Sequence, residues 1–293
     1  MSNAVHLSEL KVGVIINASS GGYDLECEHK MLDILRASGI VEAEIWCGDA
    51  NQTERSFTEA TDQKLDALVV LGGDGTIRTA AERCGAERSY LIPLPGGTMN
   101  MLARALYGDV SWEDALDKTL GAPSAKGLFG GRVADKQFFI AAIVGAPTLW
   151  TEARESIRER DIGNAIEKGT VAFQSMFEAK VQYFMSAGMK GEAEAVAVIC
   201  PLISENMSDS EQALEAAAIE VDNVAEVIGL LTAAAFGKWR DGRNIVLTKT
   251  NQVRVHSSKD IPGILDGEKV NLGTSAEINF VSKAVTVLVP TTG

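Results

Sequence analysis

The sequence predicts an α/β domain with a parallel sheet, followed by a mainly antiparallel β domain. In the first third of the chain, apolar strand-like runs alternate with amphipathic helical stretches, and such units in series build a parallel sheet covered by helices. Further along, short apolar runs follow one another without regular helices between them, which is typical of antiparallel sheets. The glycine-rich residues 121–131 have the composition of a linker. We therefore expect domains at residues 1–122 and 123–293, and the pattern leaves open whether the last strands return to the first domain.

The first domain is expected to contain four strands, each followed by a turn or a helix. Residues 12–16 are mostly β-branched and end at a glycine-containing loop. The helix after this loop carries Met31, Ile34 and Leu35 at helical spacing, and Gly39 ends it. Residues 68–71 are wholly apolar, which favours a strand buried on both faces. The other predicted elements are strands at residues 41–46 and 91–94 and helices at residues 77–84 and 99–106.

The second domain is expected to consist mainly of short strands. Seven apolar runs predict them, at residues 137–144, 193–200, 213–221, 244–248, 253–256, 276–281 and 285–289. Two longer stretches between these runs, residues 152–183 and 224–239, are compatible with helices.

The charge balance narrows the range of partners. The chain has 40 acidic against 27 basic residues and a formal net charge of −13. The negative net charge disfavours binding to nucleic acid, which requires clustered Lys and Arg. It also disfavours permanent electrostatic attachment to anionic lipid. The N-terminus lacks a signal-peptide pattern, and the longest uncharged run, residues 137–151, is too short to span a bilayer. We expect a cytoplasmic protein whose four scattered cysteines stay reduced.

Three glycine-rich turns follow directly after predicted strands of the first domain, at residues 17–22, 72–76 and 95–98. The carboxyl ends of parallel strands are where open α/β sheets bind ligands. Glycines there let the backbone approach a phosphate, while amide hydrogens and a helix N-terminus supply partial positive charge. Each turn alone also fits a tight strand–helix connection, but three at one sheet edge favour a phosphate site. The sequence has neither the P-loop pattern nor the dinucleotide fingerprint.

Two acidic residues stand beside these and other glycines. Asp74, in the turn at residues 72–76, fits an Asx-turn or a helix N-cap, and equally a carboxylate that faces phosphate-bound Mg²⁺. Glu268, after an Asp-Gly pair, fits a hairpin turn. Arg78 and Arg104 follow two of the turns and fit either phosphate contacts or solvated surface positions.

Together these motifs resemble the diacylglycerol kinase catalytic-domain family, which includes bacterial lipid kinases and the sphingosine and ceramide kinases. The resemblance is carried by Gly-Gly-Asp-Gly-Thr at residues 72–76, Pro-Gly-Gly-Thr-Met-Asn at residues 95–100 and the first loop at residues 17–22. NAD kinases and phosphofructokinases share looser forms of these three motifs. Asp-Gly-Glu at residues 266–268 favours a lipid kinase within that group.

The resemblance implies a nucleotide-binding α/β domain of the NAD kinase and phosphofructokinase type, a C-terminal β-sandwich and an active site in the cleft. It implies an enzyme that uses Mg²⁺ to transfer the γ-phosphoryl group of ATP to the hydroxyl of diacylglycerol or a related lipid alcohol. Asp74 would be catalytic and the Mg²⁺ ligand, and Glu268 would be the general base. The residues implied to bind the nucleotide are Asn17, Ser20, Gly21, Gly72, Gly73, Asp74, Gly75, Thr76, Gly97 and Thr98.

The implied partners are ATP and a lipid alcohol, with transient membrane contact that would make the protein peripheral at the membrane. No nucleic-acid partner is expected, and a homodimer is compatible with the resemblance.

Several positions depart from the family pattern, mostly on the acceptor side. Ala18 stands where the family usually has proline, and Met101 where it commonly has Asp after Asn100. Residues 141–149 lack the usual Gly-Phe-Asp, and residues 201–204 replace a glycine-rich segment. Two alternatives therefore stay open: a nucleotide-binding regulatory protein with impaired catalysis, and a kinase of a non-lipid alcohol such as NAD.

Overall fold

The computed structural model describes residues 7–85, 89–145, 180–204, 206–208, 210–219 and 245–291. The chain divides into two compact units. The first comprises Met1–Gly130 together with Val281–Gly293, and the second comprises Gly131–Phe280.

The first unit alternates strands and helices. After a 3₁₀ turn at Leu7–Glu9, its elements are β1 Val12–Asn17, α1 Cys27–Ala37, β2 Ala43–Gly48, α2 Ala50–Asp62, β3 Ala67–Gly72, α3 Asp74–Cys84, β4 Tyr90–Pro95, α4 Met101–Tyr107 and α5 Trp112–Gly121. The strand β5, Pro123–Val133, begins in this unit, and the long last strand β16, Ser275–Pro290, ends in it.

The strands of the first unit form a parallel sheet in the order β2-β1-β3-β4, which β16 extends by pairing parallel to β4. Every residue of β3 is buried, as the wholly apolar run predicts, because β3 lies between two other strands. Met31 and Leu35 of α1 are fully buried in the same hydrophobic core. The α/β domain with a parallel sheet is therefore confirmed.

The second unit is built from short strands. They are β6 Lys136–Phe138, β7 Ala141–Gly145, β8 Val181–Met185, β9 Lys190–Ala193, β10 Ala195–Ile199, β11 Leu214–Ile219, β12 Ile245–Thr250, β13 Gln252–His256, β14 Pro262–Leu265 and β15 Glu268–Asn271, with 3₁₀ turns at Ser186–Gly188 and Pro201–Ile203.

These strands form two antiparallel layers. One has the order β12-β11-β10-β7-β14-β15, and the other has β13 between β8 and the first residues of β16, with β9 beside β8. Side chains from both layers, such as Val196 and Val198 of β10 with Val253 and Val255 of β13, share one buried core. This is the expected β-sandwich.

Residues 121–131 contain the boundary between the two units, as a linker would, but this stretch ends α5 and then forms most of β5. One of its glycines, Gly131, is required by close packing. A Cβ atom on Gly131 would lie 2.0 Å from the ring of Phe138 in the paired strand β6, so only glycine fits beneath that ring.

Other element boundaries also differ from the prediction. Residues 137–144 form parts of two strands with a break at Phe139 and Ile140, and the runs at 276–281 and 285–289 belong to the single strand β16. Residues 181–183 are in β8 rather than in a helix. The remainder of the predicted helix at 152–183, up to residue 179, and that at 224–239 lie outside the described residues. Within the part of the chain that is described, no helix has the length and apolar character needed to cross a membrane.

Candidate functional site

The three glycine-rich turns lie at the carboxyl ends of β1, β3 and β4, which are neighbours in the parallel sheet. Backbone hydrogen bonds connect them directly. The amide of Gly22 in the first turn donates to the carbonyl of Gly96 in the third at 2.7 Å, and the amide of Gly96 donates to the carbonyl of Gly72 in the second at 3.0 Å. The structure therefore brings together the turns that the sequence predicts to meet.

Glycine is required where the second and third turns touch. A Cβ atom on Gly96 would lie 2.8 Å from the backbone nitrogen of Gly72, and one on Gly97 would lie 2.6 Å from the Cα of Gly73. Both distances are below the closest approach of real Cβ atoms, and the atoms met are backbone. The two turns could not approach this closely with larger residues.

Asn17 connects the first turn to the start of α3. Its side-chain nitrogen donates to the hydroxyl of Thr76 at 2.9 Å, and its side-chain oxygen accepts from the amide of Ser19 at 3.0 Å. The hydroxyl of Ser20 donates to the carbonyl of Asn17 at 2.7 Å. In this way two residues predicted to bind the nucleotide, Asn17 and Thr76, hold each other in place.

Asp74 is the first residue of α3 and is 9% exposed. Its carboxylate accepts hydrogen bonds from the backbone amides of Met101 at 2.5 Å and Asn100 at 3.1 Å, at the start of α4. The carboxylate therefore caps a helix, as one of the sequence interpretations has it, but the helix is α4 rather than its own. Charge-assisted bonds of this kind are about twice as strong as neutral ones.

The side chain of Asn100 stabilises the third turn by hydrogen bonds to the backbone of Gly97. Asn100 adopts a left-handed backbone conformation with φ of 51°, its side-chain oxygen accepts from the amide of Gly97 at 2.6 Å, and its side-chain nitrogen donates to the carbonyl of Gly97 at 2.8 Å. Sequence reasoning did not single out Asn100 as a site residue. The signal was present, since Asn is the residue after glycine that best tolerates this conformation.

The turns leave room for a ligand at two glycines. A Cβ atom on Gly21 would meet nothing within 4 Å, and one on Gly73 would meet only the Cα of Gly97 at an ordinary 3.7 Å. The first amides of α3 lack partners within the helix, as in any α-helix, and the helix dipole adds positive potential there. An anion such as a phosphate is the ligand that this edge of the sheet suits.

A divalent cation at this site would be held jointly by a protein carboxylate and the phosphates of a bound ligand. No group of three or more His, Cys, Asp or Glu that could hold a metal ion occurs among the residues whose structure is described. Mg²⁺, however, is commonly held by one or two carboxylates together with substrate phosphates. Asp74, with two oxygens at the start of α3, is the residue in the three turns that would supply such a carboxylate.

The two arginines near the turns differ in environment. The Arg104 side chain is 51% exposed and pairs with Asp109 at 3.2 Å, so it is a solvated surface residue. The Arg78 side chain is only 14% exposed, and its guanidinium pairs with Glu82 one helical turn away at 3.4 Å. Among the described residues, the Nε atom of Arg78 is buried without a hydrogen-bond partner.

The cysteines contribute no reactive thiolate to this unit. All four are free. Burial raises the pKa of Cys27 and Cys47, and it raises the pKa of Cys84 to about 12. These thiols are therefore protonated at neutral pH, which disfavours nucleophilic chemistry by cysteine.

Glu268 lies in the second unit, at the start of β15, and is half-buried. Asp266 and Gly267 form the two-residue turn between β14 and β15, with φ of 47° and 87°, and Leu265 pairs with Glu268 across it. Positive φ at both central residues is the type I′ arrangement that Asp-Gly favours. The hairpin interpretation of this motif is therefore correct for the backbone, and it leaves the Glu268 side chain available for a chemical role.

Residues 11–126, in the first unit, match the sequence model of the diacylglycerol kinase catalytic domain. This segment has the sequence pattern of the diacylglycerol kinase catalytic-domain family. It contains all three glycine-rich turns and Asp74, so the resemblance predicted from those motifs is confirmed. The Asp-Gly-Glu motif lies beyond the matched segment.

Individual relatives cover most of the chain at low identity. A diacylglycerol kinase of Bacillus subtilis is 26% identical over 238 residues, covering 75% of this chain and 76% of its own. A Streptococcus pneumoniae protein with a provisional lipid-kinase name is 25% identical over 307 residues, covering 94% and 97%. The crystal structure of a diacylglycerol kinase from Bacillus anthracis matches with a TM-score of 0.70 over 96% of this chain and 97% of that one, at 17% identity, which shows a shared fold.

Met101, which stands where the family commonly has Asp, lies within the matched segment, and the structure shows its environment. Its backbone amide donates to the Asp74 carboxylate, and its side chain is half-buried. The position thus helps to hold Asp74 through the backbone, whereas a second carboxylate at this point of the site is missing.

Proposed function

We propose that the protein is an ATP-dependent lipid kinase that transfers the γ-phosphoryl group to the hydroxyl of diacylglycerol or a related lipid alcohol. The observation that carries the proposal is the joining of three glycine-rich turns, with Asp74 between them, inside the segment that matches the diacylglycerol kinase catalytic domain. Membership of a kinase family supports ATP as the donor, and the names of the relatives support a lipid acceptor.

The phosphates of ATP are proposed to lie over the turns. Backbone amides at residues 72–76 and at Thr98 would donate to phosphate oxygens, while Gly97 would line the same cradle with its amide bonded to Asn100. Asn17, Ser20 and Gly21 would border the nucleotide from the first turn. Phosphoryl transfer depends mainly on positioning and charge stabilisation, which preorganised amides provide without reorganisation during the reaction. The mutual hydrogen bonds of the turns support such preorganisation.

Mg²⁺, when bound with ATP, would neutralise charge on the phosphates, and Asp74 is the residue proposed to hold it. In the transfer, the lipid oxygen forms a bond to the γ-phosphorus as the bond to the bridging oxygen breaks and ADP leaves. The hydroxyl proton is proposed to pass to a carboxylate oxygen of Glu268. Because the acceptor lies in a bilayer, the protein would contact the membrane transiently as a peripheral protein of the cytoplasm.

One observation favours a second candidate, a nucleotide-binding regulatory protein with impaired catalysis. Both oxygens of the Asp74 carboxylate accept backbone hydrogen bonds, and Met101 replaces the acidic residue common in the family. This candidate predicts binding of ATP without transfer to any alcohol.

The experiment that tests the proposal measures transfer from γ-labelled ATP with Mg²⁺ in mixed micelles. The micelles carry diacylglycerol, monoacylglycerol, a sphingoid base or no lipid, and NAD is offered separately. We expect a labelled phospholipid with one of the lipids, and a loss of about 100-fold or more in turnover in Glu268→Gln, since general bases contribute about 10²–10⁴-fold.

The control variant is Glu42→Gln, which removes an exposed carboxylate from the first unit and should leave turnover unchanged. Asp74→Ala should also abolish turnover while the chain stays folded. Wild-type activity in Glu268→Gln would refute the general-base role. ATP binding without any labelled lipid would favour the regulatory protein, and labelling of NAD would favour the soluble acceptor.

A further inference from the structure

The carboxylate of Asp266 is enclosed by backbone donors from another part of the second unit. Its Oδ2 atom accepts from the amide of Phe139 at 2.7 Å, and its Oδ1 atom accepts from the amides of Ile140 at 2.9 Å and Ala141 at 3.0 Å. The amide of Asp266 in turn donates to the carbonyl of Ala141 at 2.9 Å. The residue is 5% exposed.

These bonds give a reason for the break between β6 and β7. Phe139 and Ile140 lie between the two strands, and their amides point to a side chain 126 or 127 residues away in sequence instead of to a strand partner. A buried amide without a partner is costly, so the carboxylate is a structural requirement of this connection. The apolar run at 137–144 is interrupted at the point where it binds Asp266.

The same carboxylate determines the position of the turn that precedes Glu268. An Asp-Gly turn forms locally, but nothing in the turn itself decides where it lies relative to the sheet. Here β14 pairs with β7, with Leu265 opposite Ala142, and the next residue, Asp266, is held at three points by the chain that enters β7. The backbone of Glu268, two residues further on, is therefore held by contacts on both sides of the turn.

Asp266 is poorly suited to accept a proton from a substrate itself. The Asp266 carboxylate is 5% exposed and accepts three backbone N–H hydrogen bonds, so it offers little surface to a ligand. Glu268 begins the next strand and is half-buried, with part of its surface open. The two acidic residues of the Asp-Gly-Glu motif thus have different environments and different uses.

We propose that Asp266 is the positioning residue for Glu268: its carboxylate, bound to the amides of residues 139–141, holds the turn so that the Glu268 carboxylate meets the hydroxyl of the acceptor. This inference rests on the proposed function, in which Glu268 is the general base. A misplacement of about 1 Å in a catalytic group can cost about 100-fold in rate, which is the size of effect that loss of this anchor should have.

The decisive variant is Asp266→Asn, in wild-type and Glu268→Gln backgrounds. Asn keeps one oxygen for the amides of Ile140 and Ala141, but it places an NH₂ group against the amide of Phe139, where a donor meets a donor. In the wild-type background we expect kcat for lipid phosphorylation to fall about 10–100-fold with KM for ATP unchanged. In the Glu268→Gln background the residual turnover should fall by less than about threefold, because the residue to be positioned is absent.

The control is Asp260→Asn, an exposed carboxylate of the same unit that accepts one side-chain hydrogen bond from Asn271, and it should leave kcat unchanged. If Asp266→Asn does not fold, Gly267→Ala serves instead. It strains the same turn at φ of 87° without altering the carboxylate, and it should likewise lower kcat only where Glu268 is present.

The outcomes separate this inference from the proposed function. Wild-type kcat in Asp266→Asn, or equal losses with and without Glu268, would overturn the positioning role while leaving the kinase assignment intact. Full activity of Glu268→Gln would overturn the general-base role and the positioning role together. A wild-type chain that phosphorylates no lipid would overturn the proposed function and, with it, this inference.

Discussion

At the scale of single residues, Asp74 illustrates how far a sequence motif can be interpreted. Its place among glycines suggests both a helix cap and a metal ligand, and the structure shows that it caps α4 through the amides of Asn100 and Met101. Which helix receives the cap could not be predicted, because the partner lies 26 or 27 residues away in sequence. Capping and metal binding remain compatible, since carboxylate oxygens can each accept more than one interaction.

Asp266 illustrates the opposite case, a residue whose contacts no local pattern indicates. Asp-Gly predicts the turn, which the structure confirms. The three amides that bind its carboxylate lie more than 120 residues earlier, within an apolar run that predicts an uninterrupted strand. Only the tertiary fold brings the two segments together.

Burial of Cys84 makes a prediction about stability at alkaline pH. The side chain is 3% exposed, and desolvation raises its pKa from 9.0 to about 12. Between these values the folded chain retains a proton that the unfolded chain loses, so the free energy of unfolding is unaffected below pH 9 and falls above it. A difference of one bound proton between the folded and unfolded chains changes the free energy of unfolding by about 1.4 kcal/mol per pH unit.

The measurement is denaturant unfolding of wild type and Cys84→Ala at pH 8, 9, 10 and 10.5. The free energy of unfolding of wild type should fall more steeply above pH 9, by up to about 1.4 kcal/mol per unit. Other buried groups, such as Tyr107, whose pKa is also raised by burial, titrate in both proteins and cancel in the comparison. Equal slopes would contradict the assigned burial of this thiol.

At the scale of elements, the close contact between the turns after β3 and β4 can be tested by a glycine substitution, with a second glycine of the same contact as the control. Gly97→Ala would bring a Cβ atom to 2.6 Å from the Cα of Gly73 and force the turns apart, so we expect a loss of about 1–3 kcal/mol in the free energy of unfolding and weaker ATP binding. Gly73→Ala places its Cβ at 3.7 Å from the Cα of Gly97 with φ of −81°, which alanine adopts easily.

Unfolding and ATP titration of both variants test this contact. Gly73→Ala should stay within about 0.5 kcal/mol of wild type in stability, as ordinary surface substitutions do. If Gly97→Ala is as stable as wild type, the turns do not approach as closely as the structure has them.

The strands of the first unit could be predicted better than those of the second unit, for a physical reason, whereas the helices α2 and α5 were not predicted. In the parallel sheet, buried strands such as β3 are continuous apolar runs with glycine-rich ends, so composition alone marks them. In the sandwich, a break such as that between β6 and β7, or the continuity of β16, depends on partners distant in sequence. Residues 121–131 have the composition of a linker, although they form most of β5 and Gly131 is required by the Phe138 ring.

At the scale of the whole molecule, the resemblance to the diacylglycerol kinase family was predicted from the motifs and their order along the chain. The three turns lie in the segment 11–126 that matches the diacylglycerol kinase catalytic domain, and the fold of the chain matches a solved diacylglycerol kinase from Bacillus anthracis at a TM-score of 0.70. The acceptor could not be predicted in the same way. Backbone amides recognise phosphate in any sequence that forms the turn, whereas recognition of an alcohol depends on individual side chains.

The central claim is that the three joined turns form the nucleotide phosphate site, and a titration of Mg²⁺-ATP into Gly21→Asp tests it most directly. Gly21 has no neighbour within 4 Å, so a carboxylate there should fold without clash but repel phosphates. Gly127→Asp, equally open and exposed in β5, is the matched control. We predict that wild type and Gly127→Asp bind ATP alike, while Gly21→Asp binds at least about tenfold more weakly with an unchanged unfolding midpoint. Equal ATP affinity in all three proteins would contradict the account.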